Sequence, residues 1–294
     1  MINRLIGNYM VGKNKISASQ LSDVLDAQKK VRVKLGLIAV AEKMMTPDQA
    51  DEINRLQAVM DKRFGELAVS KGYLTDEQVS RLLKLQGNAY LSFAQAISDC
   101  GIMELSELEE MLEEYRKENG FTVTDLDALK SGEADRIVPL FLPSECDELI
   151  KEHIGVAVRT IIRLIDSDIC IGKAEYVNNI KADTFALQSL DGDHKASLGF
   201  LGNGDSLLAI AKTFADEDFA EADLDALDAV AEFTNCINGL FASAIASKSF
   251  MDMLPPSYNN GGVTVHADKI LVLPVYLKDT KVELIASFDE MITY

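Results

Sequence analysis

Three polar side chains, Asp228, Glu232 and Asn235, fall in the stretch "DAVAEFTNCINGLFAS" at intervals of four and three residues. On an α-helix that spacing puts all three on one face. The set combines carboxylates, which only accept hydrogen bonds when ionised, with an amide that both donates and accepts. Asn is a poor interior helix residue because its amide competes for backbone hydrogen bonds, so its presence here needs a reason. The same face continues through Gly239, Ala242 and Ala246, which leave it nearly bare.

The element that carries these residues reads as one long helix over 221–247. Leu224, Leu227, Val230, Ala231, Ile237, Phe241 and Ile245 recur at helical spacing, behind an acidic first turn that suits the helix dipole. An amphipathic helix is expected over 144–166, through Leu149, Ile150, Ile154, Val158, Ile161, Ile162 and Ile165. Strand-like segments follow at 172–180, 184–190 and 195–203, with a hairpin turn at Asp191-Gly192 between the last two. Asp205 is expected to cap a helix running to Ala215. "PPSYNNGG" (255–262) reads as loop, and two last strands, 269–277 and 281–288, join through a short turn around Asp279. This order predicts an α+β domain with helices packed on an antiparallel sheet.

The first hundred residues repeat. Gln28, Gln57 and Gln86 are 29 apart, as are Gln20, Gln49 and Gln78, and Gly7, Gly36 and Gly65. Units 5–28, 34–57 and 63–86 align on this period, and 92–115 keeps the apolar pattern without the Gly and Gln. Each unit reads as a short helix with a close-packing Gly, a break such as Lys71-Gly72, and a second helix. Ser17, Thr46 or Thr75 caps that second helix, with Gln three residues on, the capping-box pattern. One unit cannot bury its own apolar face, so the units must stack. Polar residues over 116–140 suggest a connector. The expected organisation is two domains: an all-α helical repeat domain (1–120), a linker (121–139), and the α+β domain (140–294).

Composition limits the functions. A formal net charge of −18 argues against binding nucleic acid or an anionic membrane, both of which rest on Lys and Arg. No secretory signal or membrane-length apolar run is seen. The four cysteines form no CxxC pair and the three histidines are scattered, so no metal site is expected. Free thiols in a reducing cytoplasm are the plain reading. No Ser-His-Asp or Cys-His set competes as a catalytic centre.

Two resemblances extend these readings. Over roughly 140–294 the motif and element order resemble the CheC/CheX/FliY family of chemotaxis phosphatases, single-site CheX most of all. The resemblance implies hydrolysis of the aspartyl phosphate of a receiver-domain response regulator. Asn235 would aim a water, Glu232 would pair with a receiver lysine, and Asp228 would extend the acidic face or serve the helix dipole. The partner would supply Mg²⁺, and the chain would hold no cofactor of its own. The face 152–155 on the first helix has Glu152 but Gly155 where an Asn would be needed, which implies one active site per chain. The resemblance also implies a homodimer.

Units 34–57 and 63–86, with the five-residue spacer 58–62, resemble the tandem motif of the MshEN domain of type II secretion and type IV pilus ATPases. That resemblance implies cyclic di-GMP as ligand, bound through Lys34, Gly36, Gln57, Arg63, Gly65 and Gln86. Lys34 departs from the motif's arginine and cannot offer the bidentate fork that Arg presents to a guanine edge. Lys43 stands where the motif has its second glycine. The combined expectation is a cytoplasmic phosphatase regulated by cyclic di-GMP. Two alternatives stay open: a non-enzymatic adaptor for receiver or flagellar proteins, and a pure cyclic di-GMP effector.

Overall fold

The chain folds into two compact units in a computed structural model, one of Ile2–Glu133 and one of Met1 with Ala134–Tyr294. The structure describes residues 1–60, 62–278 and 280–294; the expected turn residue Asp279 and the spacer residue Asp61 lie outside them.

The first unit is all helix. Its helices are α1 (Ile2–Gly12), α2 (Ala18–Ala27), α3 (Leu35–Ala41), α4 (Pro47–Val59), α5 (Phe64–Ser70), α6 (Asp76–Lys84), α7 (Ala89–Asp99), α8 (Leu105–Asn119) and α9 (Val123–Ser131). The capping boxes form as the sequence indicates: Ser17 with Gln20, Thr46 with Gln49, and Thr75 with Gln78. The periodic glycines are close-packing positions. A Cβ on Gly7 would lie 2.3 Å from Leu21 Cδ1, and one on Gly65 would lie 2.8 Å from Val79 Cγ1. In both pairs the first helix sits hard against the one that follows it.

The expected linker, 121–139, is not a linker. Gly120 ends α8 in a left-handed conformation (φ 71°), and Thr122 then caps α9 with a reciprocal Asp125 bond. Asn88 Nδ2 donates to the Lys130 carbonyl and the Lys130 ammonium pairs with Glu109, so α9 belongs to the helical unit. The polar surface of 116–133 is the solvated side of packed helices.

The second unit contains α10 (Ala134–Ile137), α11 (Glu148–Leu164), α12 (Gly204–Ala215) and α13 (Leu224–Ile245), with strands β1 (Cys170–Ile171), β2 (Glu175–Gly192), β3 (Ala196–Gly202), β4 (Met251–Met253), β5 (Ser257–Tyr276) and β6 (Lys281–Phe288). All pairings are antiparallel, in the order β1-β5-β6-β3-β2-β4, and β5 also pairs with β2. The side chains of β2 and β3 alternate between two cores. Phe185, Leu187 and Leu201 join Val265, Ile270, Val272, Ile285 and Ile292 on one face. On the other, Phe200 stacks on Phe233 of α13, ring centres 5.6 Å apart.

Three local expectations are corrected. The two strands expected at 172–180 and 184–190 are one, β2, which accommodates irregularities between Val177 and Asn179 and between Ala182 and Thr184. The segment 257–262 is not loop: Ser257, Tyr258, Asn259 and Asn260 pair with Leu187, Ala186, Phe185 and Thr184. Its glycines serve the bend, with Gly262 at φ 76°. The cap of α12 is Asn203, whose side chain accepts from Ser206 N, rather than Asp205.

Candidate functional site

Helix α13 starts at the Asp223 cap and buries Leu227, Val230, Phe233, Ile237 and Phe241 against the sheet and neighbouring helices. Its opposite face carries Asp228 and Glu232, both exposed, and Asn235, half-buried. The structure thus brings the three expected site residues together. Asn235 Nδ2 donates to Glu232 Oε2 over a long 3.5 Å. Tyr258 OH donates to Asp228 Oδ1 at 3.0 Å, and that bond raises the phenol pKa above its ordinary value. Asn260 Nδ2 reaches the Ala222 carbonyl at 2.8 Å. The start of β5, which the sequence suggested was loop, therefore ties down the approach to the site helix and its second turn.

Asn235 is also held from below. Gln188 Nε2, on β2, donates to Asn235 Oδ1 and to the Leu254 carbonyl, each at 2.9 Å. Asn238 Nδ2 donates to Gln188 Oε1 at 2.9 Å, and His153 Nε2 lies 2.8 Å from Asn238 Oδ1. The His153 ring stacks on Phe241 with centres 3.9 Å apart and planes 11° from parallel. Burial lowers the His153 pKa to about 4, with the Asn238 bond opposing, so the imidazole is neutral at physiological pH. Gln188, Asn238 and His153 were not singled out in the sequence. The signals were there: a lone amide inside the apolar run "TFALQSL", and a second Asn three residues after the first in "TNCIN".

The small-residue face is partly occupied. A Cβ on Gly239 would lie 3.8 Å from the Met253 thioether, so Gly239 makes room for β4, and the bare surface is at Ala246. Leu254, whose carbonyl Gln188 holds, and the adjacent Met253 are exposed; Leu240 and Phe250 are exposed as well. On α11, Glu152 pairs with Arg159 Nη2 at 3.2 Å, and Arg159 also pairs with Asp135. The Arg159 guanidinium lies over Gly155, where a Cβ would meet Nη1 at 3.2 Å. This face has a carboxylate and no amide.

In the helical unit, Lys34 and Arg63 occupy equivalent cap positions ahead of α3 and α5. Arg63 is exposed, whereas Lys34 Nζ pairs with Asp99 at 2.9 Å. Two of the periodic glutamines hold backbone, Gln86 Nε2 donating to the Val33 carbonyl at 3.0 Å and Gln57 Nε2 to that of Lys62 at 3.3 Å, while Gln28 Oε1 accepts from Asn3 Nδ2 at 2.7 Å. Gly36 packs under the Phe64 ring and Gly65 under Val79. Among the described residues no group of three or more His, Cys, Asp or Glu is placed to hold a metal ion, and no helix is long and apolar enough to cross a membrane.

An antiparallel α+β unit presenting a carboxylate–amide helix face is the class that this fold and site define. Residues 185–274, which include all three site residues, match the family model described as chemotaxis phosphatase CheX. Solved structures similar to the chain include a chemotaxis protein CheX from Desulfovibrio desulfuricans, with 19% identity and a TM-score of 0.43, over 48% of this chain and 99% of that one. Another is CheX from Vibrio vulnificus, 18% identical, TM-score 0.43, over 48% and 99%. A third is the CheX–CheY–BeF3–Mg²⁺ complex from Borrelia burgdorferi, 20% identical, TM-score 0.41, over 49% and 99%. No curated protein matches the chain.

Proposed function

We propose that the second unit is a phosphatase acting on the aspartyl phosphate of a CheY-type receiver domain. The observation that carries this reading is the Asn235 amide, half-exposed beside Glu232 and held from behind by Gln188, within the segment that matches the CheX model. An acyl phosphate already has a good leaving group, and the receiver brings the Mg²⁺ that neutralises its charge. The phosphatase has to deliver a water in line with phosphorus. The water's oxygen bonds to phosphorus, the bond to the receiver's carboxylate oxygen breaks, and inorganic phosphate leaves with the water's protons. A neutral amide holds that water without repelling the phosphoryl oxygens. Glu232 docks on a receiver cation, with exposed Met253 and Leu254 as the apolar flank of the contact. Asp228, bound by Tyr258, extends the acidic face. The reading carries with it a cytoplasmic location and a homodimer.

For the helical unit the reading is regulatory, with cyclic di-GMP as the ligand and Arg63 at the centre of its site. Arg63 rather than Lys34 takes that place because its guanidinium can fork onto a guanine edge, while the Lys34 ammonium is paired with Asp99.

The phosphatase is tested by loss of radiolabel from a phosphorylated receiver. The full chain is expected to accelerate it, and Asn235→Ala to lower the catalysed rate by on the order of 100-fold with an unchanged circular dichroism spectrum. Equal rates with wild type and Asn235→Ala would remove the amide from the mechanism. No acceleration by either would favour an adaptor.

A further inference from the structure

The polar side chains behind Asn235 run in one direction, and two groups that can only accept fix it. The Leu254 carbonyl cannot donate, so the nitrogen of the Gln188 amide must face it; the second hydrogen of that nitrogen goes to Asn235 Oδ1. Gln188 Oε1 then faces Asn238, which must offer Nδ2. That leaves Asn238 Oδ1 for His153, whose Nε2 must carry the ring proton. At the far end the Glu232 carboxylate only accepts, so Asn235 turns Nδ2 toward it. Every amide in the chain has a single allowed orientation.

We propose that Gln188 is a positioning residue for Asn235, locking which end of its amide faces the incoming phosphoryl group. The proposal rests on the phosphatase reading. A free surface Asn rotates about χ2 and exchanges its oxygen and nitrogen, so a water bound to it has no fixed aim. With Gln188 donating to Oδ1, one lone pair of that oxygen points inward. The other lone pair and one Nδ2 hydrogen remain to hold and aim a water. Gln188 is 2% exposed, Asn238 0% and His153 1%, so solvent does not compete for these bonds. Both hydrogens of the Gln188 amide are used, one on the site helix and one on the segment after β4. The strand, the helix and the apolar flank thus share one anchoring point.

The test uses the full chain with two replacements. Gln188→Glu keeps the shape but cannot donate to Asn235; Gln188→Met keeps the volume without charge. In each folded variant kcat for dephosphorylation of the receiver is expected to fall by about 10-fold or more, while affinity for the same receiver carrying beryllofluoride stays within about 2-fold. A purely structural Gln188 would move both or neither. Wild-type kcat in either folded variant overturns the proposal.

The side-chain amide of Asn235, observed by NMR, gives a readout independent of turnover. In the wild-type chain its two hydrogens should resonate away from free-amide positions and exchange slowly with solvent, and in Gln188→Met they should move to the shifts of a rotating surface amide. A rotating Asn235 amide in the wild type overturns the proposal without any variant. A wild type that shows the fixed amide but no turnover sinks the phosphatase reading while leaving the positional lock standing.

Discussion

At the scale of single residues the second unit is organised around polar groups whose partners lie far away along the chain. Asn235 stands out because an amide on an amphipathic helix costs helix propensity. Gln188 does not, since one polar residue in an apolar strand reads as a face change, and its partner is 47 residues away. Glu232 and Asn235 were therefore legible as a pair, and the chain that holds them was not. His153 makes the same point with a measurable consequence. Its pKa is about 4 when folded, against 6.5 for an unperturbed imidazole, because burial penalises the charged ring. Between those values the unfolded chain binds a proton that the folded chain refuses, so stability rises with pH across that window. The stabilisation is present above pH 6.5 and is lost as pH falls toward 4, by about 3 kcal/mol in total. His153→Gln keeps a donor for Asn238 Oδ1 and removes the titration. Urea unfolding of the second unit should lose stability between pH 7 and pH 4.5 in the wild type, with a visibly flatter profile in His153→Gln. Equal slopes would mean that other groups dominate the acid response.

Elements were legible where their signals are local. The three capping boxes and the periodic glycines were written in the sequence because a cap needs only four residues and the glycines recur with the repeat. Strand limits were not, because pairing decides them: Ser257 to Asn260 carry turn-forming residues yet are strand through their bonds to β2. The polar stretch after residue 120 misled for a similar reason, since α9 is fixed by Asn88 and Glu109 from earlier helices. The glycine contacts give a prediction at this scale. A Cβ at Gly65 would stand 2.8 Å from Val79 Cγ1, and a β-branched valine on a helix cannot swing aside freely. Overpacking costs about 1–3 kcal/mol, which outweighs the ~1 kcal/mol of helix propensity that alanine gains over glycine. Gly65→Ala should lower the urea midpoint of the helical unit. Gly12→Ala, with nothing within 4 Å of its Cβ, should leave it unchanged or raise it. Destabilisation by both would point to a role for glycine flexibility rather than for packing.

At the scale of the whole molecule, the division falls between Glu133 and Ala134. The second unit holds the entire sheet, both cores and every residue of the carboxylate–amide face. A domain of about 160 residues buries enough surface to fold alone. The fragment 134–294 should therefore unfold in one cooperative transition and dephosphorylate a receiver within about 3-fold of the full chain's rate in the absence of nucleotide. On the proposed reading the helical unit is the regulatory part. Adding cyclic di-GMP should change the rate of the full chain, leave the fragment unaffected, and lose its effect in Arg63→Ala. The three arms separate the claims. A fragment that folds but is inactive would make the helical unit part of the catalytic assembly. A full chain indifferent to the nucleotide would leave the repeats as a scaffold, whose Gln57 and Gln86 hold backbone and whose Lys34 is already committed to Asp99.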